Sequence, residues 1–251
     1  MDALPRKGEA RYKRFNRFAR ASVYARPTTT GSTAMSLYAE ARRHMVDSQV
    51  RPNDVTDRRI QDAMARLPRE TFVPRSKVAE AYGDKEVLIG EGRYMMRPRD
   101  FAKLVHAAQI DAQDLVLDIG CARGYSSAVI AALCETVVGL ESDPAMVEKA
   151  IASLSEVGAD NAVVVDGDVK AGLSDQGPFD VIFVNNAVDQ VPQTWLDQLK
   201  DGGRLAVIVR QGPVGKATIF TRSGAAVGEK VIFDASPTVL AGFEREAGFV
   251  F

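Results

Sequence analysis

Cysteine and histidine are scarce in this sequence, with two of each among 251 residues. Cys121 and Cys134 are too few for a disulfide framework and lie among apolar residues, so we expect reduced thiols in a cytoplasmic protein. His44 and His106 are isolated, and a lone helical histidine is more often a surface residue than a base. We therefore expect no metal site, and a chemistry that depends on neither a histidine base nor a cysteine nucleophile.

Long apolar runs and a strong net charge are also missing. No run approaches the roughly 20 apolar residues that span a bilayer. The net charge of −1 gives no general attraction to nucleic acid or to an anionic membrane. With 46% hydrophobic and 26% charged residues, the composition is typical of a globular domain. We expect a soluble protein without a nucleic-acid or membrane partner, and the sequence leaves the oligomeric state open.

The N-terminal segment departs from this even composition. Residues 1–34 carry eight basic residues against two acidic ones, and they lack the apolar stretch of a secretory signal. Three interpretations are open: a disordered tail, an organelle transit peptide, or sequence upstream of a start at Met35 or Met45. We favour the tail, because such a segment buries too little apolar surface to offset the entropy of ordering. Residues 35–251 then form one domain, with a helical cap (35–110) and a Rossmann-like core (111–251).

Strand-like and helix-like segments alternate through most of the core. Short apolar runs predict strands at 115–119, 136–141, 162–165, 179–184 and 204–209, and helical patterns fall at 125–133, 144–157 and 192–199. This order predicts an α/β fold, a mostly parallel sheet with helices on both faces. Beyond Pro213, short alternating segments at 216–221 and 230–233 predict antiparallel strands at one edge.

The cap is predicted to be mainly helical. A helix is expected over residues 37–46, and a second one from Asp54 or Thr56 to Pro68. Ile60, Met64 and Leu67 form one helical stripe in that second helix. The remaining cap predictions are a short extended piece at 72–74, a helix around 77–82, a loop at 91–98 and a helix at 99–108 with Phe101, Leu104 and Val105 inward.

The turn after the first core strand has the pattern D-x-G-x-x-x-G at residues 118–124. Glycine at 120 allows a sharp turn and the close approach of a ligand. A dinucleotide site needs a third glycine for its pyrophosphate, which disfavours a nicotinamide-dependent oxidoreductase. S-adenosyl-L-methionine has no phosphate but carries an ammonium group and a ribose, so an acid such as Asp118 near the turn suits it. The pattern resembles class I methyltransferases; a structural glycine turn is the simpler alternative.

Two more acids follow the next strands. Glu141 lies 21 residues after Gly120, at a strand end where a carboxylate can bridge two ribose hydroxyls. Asp168 follows the third strand, where it can accept from an adenine amino group. Singly, each could be an ordinary strand-end or turn residue. Together they predict a cofactor site, to which we assign Asp118, Gly120, Cys121, Gly124, Glu141, Ser142, Asp168, Val169 and Asn185.

Residues 63–74 include the stretch Leu67-Pro68-Arg69-Glu70 followed by Phe72-Val73-Pro74. This segment resembles the "AM..VPRE.FVP" motif of the protein-L-isoaspartate O-methyltransferase family, and Tyr82 with Ile89-Gly90 continues it; the likeness covers most of residues 45–251. The L-K-x-G-G-R-L turn at 199–205 is a structural hallmark at the start of the fifth strand. The resemblance implies a Rossmann-like fold, S-adenosyl-L-methionine as cofactor, and methyl transfer to the α-carboxylate of an isoaspartyl residue. Such an acceptor is already ionised near neutral pH, so the reaction needs alignment more than a base.

The resemblance fails in the loop that binds the acceptor. Where the family has Q-T-I-S-x-P, Met96 replaces the serine and Tyr94 the threonine, and a thioether cannot donate a hydrogen bond to a carboxylate. Arg97 could bind that carboxylate instead, or it could be a solvated loop charge. Asn185 stands where the family has a "TAAP"-like segment. We single out Arg97 and Asn185 as candidate catalytic residues.

Two alternatives to the isoaspartyl acceptor stay open. Tyr94, Met95 and Met96 could form an apolar pocket for a different small-molecule or protein acceptor, although methionine pairs are more often core residues. The domain could also be a non-catalytic family member that binds the cofactor as a sensor.

Overall fold

The computed structural model describes residues 32–244. The segment predicted to be a tail lies outside the described residues except for its last three positions, which belong to helix α1 (Ser32–Met45). The chain divides into two units, Met1–Met35 and Ser36–Phe251. The boundary between cap and core near residue 110 stays a prediction.

The cap contains short helical turns and one hairpin. Helix α1 runs into a π-helical turn at Val46–Val50 and a 3-10 turn at Arg51–Asn53. Ile60, Met64 and Leu67 are all buried, as their spacing predicts. The other elements of the cap are α2 (Arg58–Arg66), 3-10 turns at Arg69–Phe72 and Arg75–Glu80, β1 (Val87–Gly90), β2 (Arg93–Met95) and α3 (Pro98–Ala108).

The core alternates strands and helices in the predicted order. Three of its elements have the predicted bounds: β3 (Leu115–Ile119), β4 (Thr136–Glu141) and α5 (Pro144–Val157). The others are α4 (Tyr125–Ala131), β5 (Ala162–Asp166), a 3-10 turn at Ser174–Gln176, β6 (Phe179–Val188), α6 (Gln193–Asp197), β7 (Leu199–Gln211), β8 (Val214–Ser223) and β9 (Ala226–Ala235).

Seven strands form one sheet in the order β5-β4-β3-β6-β7-β8-β9. The first five are parallel, whereas β8 and β9 pair antiparallel at one edge. The predicted fold class is therefore confirmed: a Rossmann-like α/β sheet with antiparallel C-terminal strands. Since β3, β4 and β5 are neighbours, their carboxyl ends lie along one edge of the sheet.

Local sequence explains where α5 begins and ends. Asp143 caps the first turn, because its carboxylate accepts a hydrogen bond of 2.8 Å from the backbone N–H of Ala145. Pro144 follows at the first helical position, where its missing N–H costs nothing. Gly158 ends the helix with a φ of 71°, a conformation that glycine adopts without strain.

Two predictions for the cap are wrong, and one helix is of a different type and starts earlier than predicted. Neither Asp54 nor Thr56 caps α2; that role belongs to Asp57, whose carboxylate accepts from the backbone N–H of Arg59 at 2.8 Å. The helix expected around 77–82 is the 3-10 turn at Arg75–Glu80. The loop expected at 91–98 contains strand β2, which pairs antiparallel with β1. Short strands such as β2 escape detection because three residues carry too little periodicity.

The apolar core is continuous from the cap to the sheet. Phe101 on α3 is buried and stacks edge-on against Phe183 of β6, with ring centroids 5.7 Å apart. Leu104 and Val105 are buried beside it, as predicted. Both cysteines are buried free thiols. No helix within residues 32–244 has the length and apolar character that crossing a membrane requires.

Candidate functional site

The predicted acids flank a turn at the carboxyl edge of the sheet. Strand β3 pairs with β4 so that Asp118 lies opposite Gly139, and Glu141 lies opposite Asp166 of β5. The turn after β3 is tight, because the backbone N–H of Gly120 donates to the carbonyl of Leu140 at 2.9 Å. The structure thus brings Asp118 and Glu141 to one place, beside the glycine turn.

The two glycines of the turn have different roles. Gly120 (φ 68°) faces Leu240 and Arg93, and a Cβ there would lie 3.1 Å from Leu240 Cδ1 and 3.6 Å from Arg93 Nη2. Gly124 (φ 88°) faces inward, and a Cβ there would lie 3.3 Å from Ala150 Cβ on α5. A side chain at Gly120 would therefore crowd Leu240 and Arg93, whereas one at Gly124 would crowd the packing of helices α4 and α5.

Asp118 is fully buried and satisfied by protein groups. Its carboxylate accepts from the hydroxyls of Ser126 and Ser127 at 2.7 and 2.6 Å and from Asn185 Nδ2 at 2.7 Å. Burial raises the pKa of Asp118 from 3.8 to about 6, although these hydrogen bonds oppose the shift. In this arrangement Asp118 fastens α4 and β6 to the turn.

The raised pKa makes a testable prediction about pH and stability. A carboxyl whose pKa is higher in the folded protein stabilises the fold below its unfolded pKa, and that stability is lost as the pH rises through the folded pKa. Between pH 3.8 and 6 the loss amounts to about 3 kcal/mol at 1.36 kcal/mol per unit. We expect urea unfolding to show this loss relative to Asp118→Asn, whose side chain does not ionise. Parallel pH profiles for the two proteins would contradict it.

Asn185 owes its position to an irregularity in β6. Opposite β7, Phe183 pairs with Ala206 and Ala187 with Ile208, so β6 has two extra residues between these pairs. Asn186 adopts a φ of 67° within this bulge. Asn185 is thereby turned toward the glycine turn and donates both to Asp118 and, at 3.1 Å, to the carbonyl of Ile119.

Glu141 is also fully buried, and its main partner is Arg93 of strand β2. Arg93 Nη1 and Nη2 donate to the two carboxylate oxygens at 2.6 and 2.5 Å. The backbone N–H groups of Ala122, Ser142 and Asp143 donate to the same carboxylate at 2.8, 2.8 and 3.1 Å. Arg93 is absent from the residues predicted for the site. A basic residue in a segment expected to be a loop gives no signal of a buried partner 48 positions away.

The remaining cofactor candidates differ in exposure. Asp168 and Ser142 are exposed, and Asp168 accepts from the backbone N–H of Lys170 at 2.8 Å. Val169 is buried, and its carbonyl accepts from Trp195 Nε1 at 2.9 Å. Cys121 is buried beside Gly139, and burial raises the pKa of its thiol well above the usual value. Asp168 is thus available to a ligand, whereas Cys121 is an unreactive core thiol.

The two candidate catalytic residues line different cavities. Asn185 lies on a cavity of about 20 Å³ between the glycine turn and the segment Tyr94, Met95 and Met96. Arg97 lies on a separate open cavity of about 420 Å³. Its Nε donates to Asp100, and this hydrogen bond raises the pKa of Arg97. Of the two, Asn185 adjoins the turn, and Arg97 faces acidic residues that already neutralise it.

Arg69 supports the segment Tyr94, Met95 and Met96, called the acceptor segment because the sequence resemblance places acceptor binding there. It is fully buried, and its Nε and Nη2 donate to the carbonyls of Ala81 and Met96 at 2.7 and 2.5 Å. Its guanidinium lies over the ring of Tyr125, 4.5 Å from the centroid, and burial lowers its pKa. Arg69 was noted in the sequence only as part of a motif. The structure shows that it joins the cap to the loop bearing Met96.

Comparisons with known proteins give a consistent result. A sequence model of the family described as protein-L-isoaspartate(D-aspartate) O-methyltransferase matches residues 40–233. A protein-L-isoaspartate O-methyltransferase of Opitutus terrae is 36% identical over 232 residues, covering 91% of this chain and 98% of the relative. The corresponding protein of a Roseiflexus species is 38% identical over 172 residues, covering 68% of this chain and 78% of the relative.

Solved structures show the same likeness. A protein-L-isoaspartate O-methyltransferase structure superposes with a TM-score of 0.70 at 26% identity, covering 81% of this chain and 66% of the other. A Plasmodium falciparum structure, solved in complex with S-adenosyl-L-homocysteine, gives a TM-score of 0.69 at 17% identity, covering 79% of this chain and 97% of the other. At that identity the second match establishes the shared fold.

Proposed function

Because this chain belongs to the protein-L-isoaspartate O-methyltransferase family, we propose that it transfers a methyl group from S-adenosyl-L-methionine to the α-carboxylate of isoaspartyl residues in damaged proteins. The observation that carries the proposal is the convergence of Glu141 and Asn185 on the Gly120 turn, next to a cavity lined by the acceptor segment. The cofactor supplies a methyl group made electrophilic by its sulfonium.

The functional groups at the carboxyl edge of the sheet match those of S-adenosyl-L-methionine. Glu141 is a buried carboxylate held rigidly by three backbone N–H groups, which suits a ribose diol. Asp168 is an exposed acceptor at the end of the neighbouring strand, which suits an adenine amino group. Gly120 has no Cβ, so a ligand that displaces Leu240 and Arg93 would approach its backbone closely. These three residues would hold the cofactor.

The acceptor side needs no general base. A carboxylate is ionised near neutral pH, so the protein has to align it with the methyl group and exclude water. The buried side chains of Met95 and Met96 line the cavity beside the turn and supply a dry wall. Asn185 donates hydrogen bonds to the carboxylate of Asp118 and to the carbonyl of Ile119. These two bonds keep the turn rigid.

The proposal is tested with labelled S-adenosyl-L-methionine and two peptides that differ only in an isoaspartyl or an ordinary aspartyl linkage. We expect base-labile label, which marks a methyl ester, in the isoaspartyl peptide alone. If the protein binds S-adenosyl-L-homocysteine but does not methylate that peptide, isoaspartyl residues are not its acceptor. Absence of both binding and methylation would refute the proposal as a whole.

A second candidate is methyl transfer to a different acceptor. It is favoured by Tyr94 and Met96, which line the cavity where the family has threonine and serine. The same labelled cofactor incubated with a cell extract distinguishes the two, because incorporation that survives base treatment is not a carboxyl methyl ester.

The placement of the adenine makes a separate prediction. We expect Asp168→Ala to weaken the binding of S-adenosyl-L-homocysteine by about 10-fold, the effect of one hydrogen bond to a charged group. Asp166→Ala, a change to the exposed acid two residues earlier, is the matched control and should bind normally. Calorimetric titration measures both variants. Unchanged affinity in Asp168→Ala would place the adenine elsewhere.

A further inference from the structure

We propose that Arg93 acts as an internal competitor for the cofactor, holding Glu141 until the ribose hydroxyls displace it. The inference rests on the proposed function, because it assigns the ribose to Glu141. It adds a residue that sets cofactor affinity, located on the hairpin that leads into the acceptor segment.

Arg93 occupies both oxygens of the Glu141 carboxylate, where a diol would donate. Its Nη1 and Nη2 donate to one oxygen each, and three backbone N–H groups donate to the same carboxylate. The backbone donors are fixed by the turn and by the end of β4. Arg93 is the donor that can leave, because it is a long side chain anchored on a three-residue strand.

The space above Gly120 is occupied as well. Leu240 Cδ1 and Cδ2 lie 3.1 and 3.2 Å from the position of a Cβ on Gly120, and Arg93 Nη2 lies 3.6 Å from it. The adjoining cavity of about 20 Å³ has room for about one water molecule. A nucleoside therefore enters this edge only after Arg93 and Leu240 move.

The two covering side chains belong to segments that are tied together. Glu86, just before β1, accepts from the backbone N–H of Thr238 at 3.1 Å and from its hydroxyl at 2.8 Å. The backbone N–H of Leu240 donates to the carbonyl of Ala187 at 2.8 Å. The hairpin with Arg93 and the segment with Leu240 therefore form one cover over the turn.

The burial of the ion pair determines how strongly Arg93 competes. The side chains of Arg93 and Glu141 are 9% and 0% exposed, so salt and water screen their attraction little. If the pair is closed 90–99% of the time, the observed affinity falls to between about one tenth and one hundredth of that of the open site. After Arg93 leaves, the three backbone N–H groups keep the carboxylate of Glu141 oriented for the diol.

The test compares calorimetric affinities for S-adenosyl-L-homocysteine in the full-length protein and in Arg93→Gln. We expect Arg93→Gln to bind about 10- to 100-fold more tightly. The matched control is Arg204→Gln, which removes an arginine from another partly buried ion pair, with Asp114 at 2.7 Å near the opposite end of the strands. That control should change affinity less than twofold.

A second ligand tests whether the competition concerns the ribose. With the 2′,3′-dideoxy analogue of S-adenosyl-L-homocysteine, Arg93→Gln should gain less than threefold, because this ligand offers no hydroxyls to Glu141. Should Arg93→Gln fail to fold, Arg93→Lys serves instead. A lysine has a single ammonium group and cannot form the bidentate pair with both oxygens of Glu141. The Arg93→Lys variant should therefore also bind S-adenosyl-L-homocysteine more tightly than the natural protein.

The possible failures are distinguishable. Equal or weaker binding by the Arg93 variants, in a protein that still methylates its acceptor, overturns the inference and leaves the proposed function intact. If Arg93→Gln gains equal affinity for both ligands, Arg93 does not compete with the ribose hydroxyls for Glu141. No binding by any variant overturns both the inference and the cofactor assignment on which it rests.

Discussion

Replacing Glu141 with alanine is expected to lower the free energy of unfolding by about 3–5 kcal/mol, the usual cost of removing one partner from a buried ion pair. Among the described residues, the one remaining hydrogen bond of the buried Arg93 cation would be to the carbonyl of Gly120, at 3.4 Å. The backbone N–H groups of Ala122, Ser142 and Asp143 would lose their acceptor as well. Urea unfolding at neutral pH measures the effect.

The pair is asymmetric, and this asymmetry provides the control. Loss of Arg93 leaves Glu141 with three backbone donors, so Arg93→Ala should cost less than Glu141→Ala. In the double variant no buried cation remains, and we expect it to be more stable than Glu141→Ala alone. If the two single changes were equally costly and simply additive in the double variant, the ion pair would not be the source of the loss.

Replacing Arg69 with alanine is expected to cost about 3–5 kcal/mol, because two buried carbonyls, those of Ala81 and Met96, lose their donors at about 1–3 kcal/mol each. The stacking of the guanidinium on Tyr125 is lost too. Since the Met96 carbonyl is anchored by Arg69 alone among side chains of the described residues, the acceptor segment should also loosen. We therefore expect the KM for the acceptor to rise more than the dissociation constant for the cofactor.

Arg66→Ala is the matched control for this change. Arg66 is exposed and lies three residues earlier in the same segment, and an exposed substitution of this kind usually alters stability by less than about 0.5 kcal/mol. Thermal or urea unfolding of both variants checks the difference. A loss below about 1 kcal/mol for Arg69→Ala would show that water replaces the guanidinium on the two carbonyls.

Much of the core could be predicted because its signals are local. Leu115–Ile119 and Thr136–Glu141 are short apolar runs with turn residues after them, and their bounds agree with the structure. Asp143-Pro144 at the start of α5 and Gly158 at its end are capping signals within a few residues of the boundary. Where the contacts that stabilise an element lie close together in the sequence, the local residue pattern is enough to predict its bounds.

The cap and the bulge in β6 lacked such signals. Strand β2 has three residues and is stabilised by its pairing with β1. The position of Asn185 after a strand makes it a candidate, but no local pattern indicates the two extra residues that turn it toward Asp118. Arg97 is the arginine of this loop to which the sequence analysis assigns a role, whereas Arg93 is the arginine that contacts Glu141.

The amino-acid sequence by itself determined the order of strands and helices, the glycine turn, and which acids follow which strands, because hydrophobic period and turn chemistry act between near neighbours. Only the tertiary structure decided what those acids contact. Asp118 is enclosed by hydroxyls and an amide, and Glu141 is held by an arginine 48 residues away. A buried charge is satisfied by whichever donor the fold brings within 3 Å, and that choice depends on the packing of the whole chain.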